Sequence, residues 1–451
     1  MFNRLKTIEC TDRFFRRVPG FYEQALRQFD ALENSDPLER AAIQQRRIPA
    51  TLARARRLPG YAGAPASDRL EDWPVLTRAD VQGREEQYAT KTFYPSPKAE
   101  TGGTTGQPLR IKRTISGIAF EQAVIDRLCA SVGMDACCAR VAMLKADNLD
   151  TSLTDAGRYW LDIGRNKRIY SSHHICPRTA DVYRRSLQDF AADILFCYPS
   201  SVELLAQTLG ESTGLRIPLV FTSSDILRPE THDLIRSSFN CDNIDFYGHA
   251  ERIVAAYNVN GSQYRFLPSY GHAELIPCGE GLARIVATTL RKAGQIFVRY
   301  DTGDIARIAS SDPAYLQQVG LGLVPFDGIL GRDNEYIELR DGRRIFMVNT
   351  IARGADGASS LQLHFDGTDI IDIYIVPGPS FGDDTCRHVL AGFRQKFPSS
   401  VHPRLWTVSA RIREANGKAP VLLRNPCLPD DRTAVDIATI EAACGNSKEA
   451  A

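Results

Sequence analysis

A chain of 451 residues with 43% hydrophobic and 24% charged side chains has room for two or three domains and is too apolar for disorder to dominate. Its 55 basic and 54 acidic residues leave a formal net charge of +1, which offers no electrostatic footprint for nucleic acid or an anionic membrane surface. Eleven cysteines occur without a CxxC pair or zinc-type spacing and read as reduced thiols, several of them buried.

The opening MFNRLKTIECTDRFFRRVPG has no apolar core of a signal peptide, and no run of about 18 apolar residues marks a membrane span. The expectation is a soluble, cytoplasmic protein. SDPLERAAIQQRR predicts a helix, with Ser35 or Asp36 as cap, Pro37 in the first turn and Glu39 within reach of a reciprocal cap. The basic stretch from Gln44 to Arg57 reads as a solvated helix face. A Gly- and Pro-punctuated loop then runs to a helix start at Thr77.

ETGGTTGQPLRIKRT, Glu100 to Thr114, sets glycines and threonines ahead of a strand-like run. It is not a Walker A loop, because Gln107 stands where the lysine is required. Exposed amides and hydroxyls can still wrap an anion without that lysine, and a flexible surface loop is the ordinary alternative. GIAFEQAVIDRLCASVG follows with helical periodicity.

From Asp193 short apolar runs alternate with amphipathic segments: DILFCYPS before SVELLAQTLGE, IPLVFTSS before PETHDLIRSSF, and NIDFYG before HAERIVAAYN. Strand, turn and helix repeated in this way predict an α/β fold, with ligand-binding residues at the ends of the strands. ARIVATTLRKAGQIFVRYDTGDIARI reads as β-rich. GRDNEYIELRDGRRI reads as a hairpin turning at Asp341-Gly342. DIIDIYIVPG, a helix through DDTCRHVLAGFRQKF, and RLWTVSARI complete a compact α+β tail. The boundary falls near Gly331, giving domains 1–330 and 331–451.

Four further motifs carry chemistry. In DFYGHAERI, Tyr247 followed by Gly248 offers a flat face beside open backbone, suited to stacking on a planar base, and Glu251 can hold a metal through one carboxylate. A core tyrosine and a solvated glutamate are the alternatives. In VRYDTGDIARI, Asp304 sits on a tight turn between apolar runs, where it can accept the hydroxyls of a ribose or serve an ordinary β-turn. ILGRDNEYIELRDG places Arg332 after a glycine at the boundary, and REANGKAPVLLR places Lys418 on a loop, where a surface lysine is the commonplace reading. His173 and His174 are adjacent and would point apart on a strand, and neither HxxxH nor HExxH occurs near a carboxylate.

In this order and at these separations the motifs resemble the adenylate-forming superfamily of acyl-CoA synthetases and peptide-synthetase adenylation domains. The phenylacetate–CoA ligase branch, with its capsular-polysaccharide-type relatives, is the most similar, through WPVLTRADV from Trp73 and YPSSVELLA from Tyr198. The resemblance implies a large N-terminal domain and a small mobile C-terminal lid. It implies that Thr101, Gly102, Gly103, Thr104, Thr105 and Gly106 embrace the β- and γ-phosphates of ATP. It gives Tyr247 the adenine, with Gly248 beside it, Glu251 a magnesium ion, Asp304 the ribose hydroxyls, and Arg332 a second ribose or phosphate contact. Lys418 would bridge the carboxylate and the α-phosphate.

The implied reaction joins a carboxylic acid to AMP with loss of pyrophosphate and passes the acyl group to coenzyme A. An amine or a carrier-protein thiol is the alternative acceptor, and an aryl or arylacetic acid the implied substrate. Tyr159, Trp160 and Tyr198 are candidates for an aromatic pocket and equally for core. Departures from the pattern fall at Asn334 and Glu335 in the hinge, at FTSSD, which lacks a Gly-Glu, and after YGHAE. They leave room for a non-catalytic nucleotide-binding descendant; an unrelated phosphate-loop ATPase is a third alternative.

Overall fold

The computed structural model describes residues 14–92, 97–100, 109–145, 149, 151–172, 174–210, 213–224, 227–291, 293–330, 336–341, 344–346, 351, 355, 357–412, 421–423, 426 and 428–440. Helices α1 (Phe21–Glu33) and α2 (Pro37–Ala55) come first. The carboxylate of Asp36 caps α2 by accepting from the Glu39 amide, and Pro37 occupies a position whose missing N–H costs nothing. Ser35 does not share the cap; its hydroxyl donates to the Leu32 carbonyl. Thr77 and Asp80 close a reciprocal capping box at the one-turn helix Arg78–Val81.

Strands β1 (Lys98–Glu100) and β2 (Arg110–Lys112) pair antiparallel, Glu100 opposite Arg110, so the glycine-rich stretch joins two paired strands. Helix α3 (Ile115–Ala130) follows, its first turn capped by Thr114. Then come β3 (Val141–Lys145), β4 (Trp160–Ile163), β5 (Lys167–Ser171) and α4 (Ala180–Phe190). The alternation continues through β6 (Ile194–Cys197), α5 (Pro199–Leu209), β7 (Leu219–Ser223), α6 (Pro229–Phe239) and β8 (Asp242–Gly248). Strands β9 (Ala255–Val259) and β10 (Arg265–Phe266) end this part.

These strands make one eight-stranded sheet in the order β10-β9-β8-β7-β6-β3-β5-β4. The five central strands, β5-β3-β6-β7-β8, are parallel, and the chain reverses its direction of growth between β3 and β6. In such a doubly wound sheet the carboxyl ends of the strands form the binding edge. Alternation along each strand feeds two layers. Leu195 and Val220 face the core under α4, α5 and α6, whereas Ile194 and Leu219 face the core under α1 and α3.

The expected helix after β8 is absent. AAYNV instead becomes β9, antiparallel to β8. Arg252 at φ 56° and Asn260 at φ 55° bound the segment, and Ile253 to Ala256 within it are buried.

A second sheet, β11 (His272–Gly279), β12 (Leu282–Thr288), β13 (Tyr300–Arg307) and β14 (Gly328–Leu330), is antiparallel throughout, with α7 (Pro313–Gly320) packed on it. Beyond it, β15 (Tyr336–Glu338) and β16 (Arg344–Phe346) pair as the expected hairpin, although Gly342 lies outside the described residues.

The five-stranded sheet β20-β17-β18-β19-β21 then uses β17 (Ala358–Phe365), β18 (Ile370–Pro377), β19 (His402–Thr407), β20 (Leu422–Leu423) and β21 (Thr433–Ala434). Helix α8 (Asp383–Lys396) crosses between the parallel strands β18 and β19. Its buried face joins an apolar cluster drawn entirely from residues between Ile337 and Ile440. No helix among the described residues is long and apolar enough to cross a membrane.

Candidate active site

Strand β8 carries Tyr247 and Gly248 to the carboxyl edge of the parallel sheet. A Cβ on Gly248 would lie 2.9 Å from the Phe246 ring, closer than real Cβ contacts permit, so a side chain here would displace that ring. Tyr247 is half-buried, its ring against the core of the second sheet. Its hydroxyl donates to Asp304 Oδ2 at 2.8 Å across 57 residues of sequence. Burial, reinforced by the Asp304 charge, pushes this hydroxyl far above its ordinary range, so it remains a donor.

Asp304 does not sit on a turn between two separate apolar runs, as the sequence suggests. It lies within the continuous strand β13, where the register against β12 shifts: Arg284 opposes Ile305, but Val286 opposes Asp301. Thr302, Gly303 and Asp304 therefore bulge. The Thr302 hydroxyl donates to the Ile285 carbonyl, the Gly303 amide to Asp301, and Gly303 adopts φ 78°, which favours glycine. A bulge re-aims one side chain while the strand continues, and this one leaves Asp304 paired with Tyr247.

Glu251 follows β8 on a turn closed by the Arg252 amide and the His249 carbonyl. Its side chain is 8% exposed, which removes the solvated alternative. Tyr300, at the start of β13, donates its hydroxyl to Glu251 Oε1 at 3.1 Å. His249 Nδ1 lies 3.4 Å from Glu251 Oε2. Burial alone would raise the Glu251 pKa; His249 and, more weakly, Arg78 hold it below the usual value, so the group is a carboxylate at neutral pH.

Two tyrosine–carboxylate bonds thus run in opposite senses between the sheets: Tyr247 of β8 to Asp304 of β13, and Tyr300 of β13 to Glu251 beyond β8. Tyr300 escaped the sequence reading, and its position directly before DTGD was the available signal. The His249 ring centroid lies 6.2 Å from that of Tyr247, its Nε2 buried without a hydrogen-bond partner among the described residues.

Among the described residues no group of three or more His, Cys, Asp or Glu could cage a metal. A single buried carboxylate fits magnesium, which keeps most of its waters and is often shared with substrate phosphates. Thr101 to Gly106, Arg332, Asn334, Glu335 and Lys418 lie outside the described residues, as does His173.

The aromatic candidates divide. Tyr159 stacks between His174 and Tyr183, with centroids at 5.2 and 5.8 Å, and Trp160 lies against Arg158 and Arg168; both pack on the core beneath α4 and α5. Tyr198 remains half-buried beyond β6, where the sheet reverses its growth. His174 lies beyond the end of β5, its Nδ1 2.9 Å from the Ser171 hydroxyl. His272 is half-buried, its Nδ1 2.8 Å from Gln44 Oε1, and its pKa is lowered to about 4 by desolvation, so it is neutral.

No family model matches the chain, and no curated protein matches it. Among solved structures, 2-hydroxyisobutyryl-CoA ligase with 2-HIB-AMP and CoA in the thioesterification state is similar over 92% of this chain and 93% of that one, at 15% identity and a TM-score of 0.49. Apo MbtA of Mycobacterium smegmatis is similar over 73% and 65% of the two chains, at 15% identity and a TM-score of 0.36. O-succinylbenzoate coenzyme A synthetase of Bacillus subtilis with AMP gives 73% and 70%, 14% identity and 0.35. Likeness of this degree transfers neither activity nor substrate.

Proposed function

We propose that the chain is an ATP-dependent carboxylic acid ligase of the adenylate-forming kind. It would form an acyl-adenylate and pyrophosphate and then pass the acyl group to an acceptor thiol, coenzyme A, in the cytoplasm. The observation that carries this reading is the crossed pair of tyrosine–carboxylate bonds. It assembles Tyr247, Glu251 and Asp304 at the carboxyl edge of a parallel sheet, although nothing in their spacing requires them to meet. A carboxylate held by Tyr247 suits paired ribose hydroxyls, and the tyrosine ring beside Gly248 suits a planar base.

A carboxylate attacking a polyphosphate meets charge repulsion that grows toward the transition state, so cations placed there lower the barrier. Magnesium at Glu251 supplies part of that charge. In this reading Lys418 supplies the rest at the α-phosphate, and Thr101 to Gly106 and Arg332 bind phosphate and ribose oxygens. Residues 331–451 would form the lid that brings Lys418 in, excludes water from the labile adenylate and then rotates to admit the acceptor. In this reading Tyr198, half-buried beyond β6, would meet an aryl or arylacetic acid. An amine or a carrier-protein thiol is the alternative acceptor.

The test is magnesium- and acid-dependent exchange of labelled pyrophosphate into ATP, with aryl, arylacetic, fatty and amino acids and no acceptor. Exchange with one class of acid, lost in Lys418→Ala while the fold survives, is expected. Normal exchange by Lys418→Ala would overturn the assignment of the lysine. ATP binding with no exchange for any acid would leave a nucleotide-binding protein in place of a ligase.

A further inference from the structure

The two faces of the five-stranded sheet are covered differently. Along β17, Leu361 and Leu363 enter the apolar cluster under α8, so Gln362 between them points to the opposite face. On that face Val408 and Ile412 pack with Tyr374 of β18 and Leu423 of β20. The chain leaving β19 must reach β20 on the far side of the sheet, because β18 and β17 stand between the two strands. Its course through Val408 and Ile412 lies on the face away from α8. Residues 413–420, Lys418 among them, then join Ile412 to Val421 in sequence.

Both flanks of that stretch are fastened to neighbouring residues of β17. Gln362 Nε2 donates to the Ile412 carbonyl at 2.9 Å, and the Ile412 amide donates back to Gln362 Oε1 at 2.7 Å. The Leu363 amide donates to the Val421 carbonyl at 2.7 Å, and Leu363 stands opposite Leu422 where β17 and β20 run parallel. Gln362 is 1% exposed and Ile412 3%, so water does not replace these bonds.

Ile412 belongs to no strand, and its buried N–H and C=O lack the partners that a ladder supplies. A primary amide carries a donor and an acceptor on one rigid group and satisfies both. The ladders of β17 with β18 and with β20 are made by backbone groups and need no amide side chain at this position. Gln362 therefore serves Ile412, a point the sheet itself leaves unfastened.

We propose that Gln362 is a positioning residue for Lys418: by fixing the backbone at Ile412 it sets where the lysine-bearing stretch leaves the sheet, and with it the rate of acyl-adenylate formation. The role of Lys418 rests on the proposed function; the fastening rests on the two hydrogen bonds at Ile412. A catalytic group misplaced by about 1 Å can lose about 10²-fold in rate, so a change remote from the reacting atoms suffices.

Gln362→Leu is close in volume and removes both bonds. In hydrogen exchange of the full chain read by mass spectrometry, peptides covering Val408 to Ile412 are expected to lose protection while those of β18 keep it. Exchange of labelled pyrophosphate into ATP, with the acid that wild type accepts, should fall about 10- to 100-fold in kcat, with KM for ATP little changed. On a Lys418→Ala background the same substitution should add little, because it acts through the lysine. Gln362→Glu keeps the acceptor but has a donor only when protonated, so its pyrophosphate exchange relative to wild type should recover as pH falls. If the leucine variant does not fold, that recovery decides, and a ratio independent of pH overturns the proposal.

Retained protection at Val408 to Ile412 in Gln362→Leu would overturn the fastening. Lost protection with undiminished pyrophosphate exchange, or a full further loss on top of Lys418→Ala, would overturn the positioning role. No pyrophosphate exchange by wild type with any acid would sink the ligase reading and this role with it, while lost protection in the variant would still uphold the fastening.

Discussion

Glu251 and Arg252 are consecutive, yet they belong to regions built on opposite electrostatic plans. On the Glu251 side two carboxylates are each held by a tyrosine hydroxyl from the other sheet, and His249 Nδ1 lies 3.4 Å from one of them. On the Arg252 side one carboxylate, Glu121 on α3, lies within the field of three guanidiniums, Arg113, Arg252 and Arg291. Neutral hydroxyls position the acids without cancelling their charge. The guanidiniums instead set cationic charge against their acid, and a left-handed residue at the junction, Arg252, turns the chain from one side to the other.

Removing the single acid on the basic side should have the largest effect. Glu121→Gln takes the carboxylate partner from the half-buried Arg252 and removes the one acid in whose field Arg113 and Arg291 lie, and is expected to cost about 3–5 kcal/mol of stability. Denaturant unfolding measures this. An unchanged midpoint would mean that the arginines are satisfied elsewhere, and the contrast between the two sides would dissolve.

Next comes Glu251→Gln on the acidic side. Pyrophosphate exchange should fall by about 10²- to 10³-fold, with a raised magnesium requirement and AMP binding little changed. Full activity at ordinary magnesium would remove Glu251 from the site. Asp304→Asn should weaken AMP by about 10- to 100-fold in a direct titration, and weaken an AMP analogue lacking both ribose hydroxyls far less. Equal losses for the two nucleotides would place the aspartate's role in folding alone.

The smallest change is Tyr247→Phe, which keeps the ring and deletes only the bond to Asp304. An effect of about 2- to 10-fold on AMP affinity is expected, and combined with Asp304→Asn it should add little further. Tyr300→Phe should instead move the magnesium dependence. Crossed results, with Tyr300→Phe acting on AMP and Tyr247→Phe on magnesium, would show that the two bonds do not divide the labour as their geometry indicates.

Much of this arrangement was legible in the chain. The Asp36 cap, the parallel strands from β6 to β8 and the α+β tail follow from local patterns, because capping chemistry and hydrophobic period act over a few residues. HAERIVAAYN was misread, since its continuous apolar run from Ile253 to Tyr257 fits either period and the choice fell to strand pairing with β8. The turn expected at Asp304 became a bulge because Thr302 and Asp301 bond to nearby backbone while β13 keeps its partner. Tyr159 and Trp160 looked like pocket residues until their contacts placed them on the core beneath α4 and α5.

By itself, then, the sequence determined the α/β class, the strands of the binding edge and the presence of Tyr247, Glu251 and Asp304 as candidates, each through short-range preference or residue type. Tertiary structure alone decided that Tyr247 would bind Asp304, that Tyr300 would bind Glu251, and that Arg113, Arg252 and Arg291 would lie within the field of a single carboxylate. Those relations join residues separated by up to 178 positions in sequence, Arg113 to Arg291. No local preference encodes such distances; packing one sheet against the other, with α3 behind the junction, sets them.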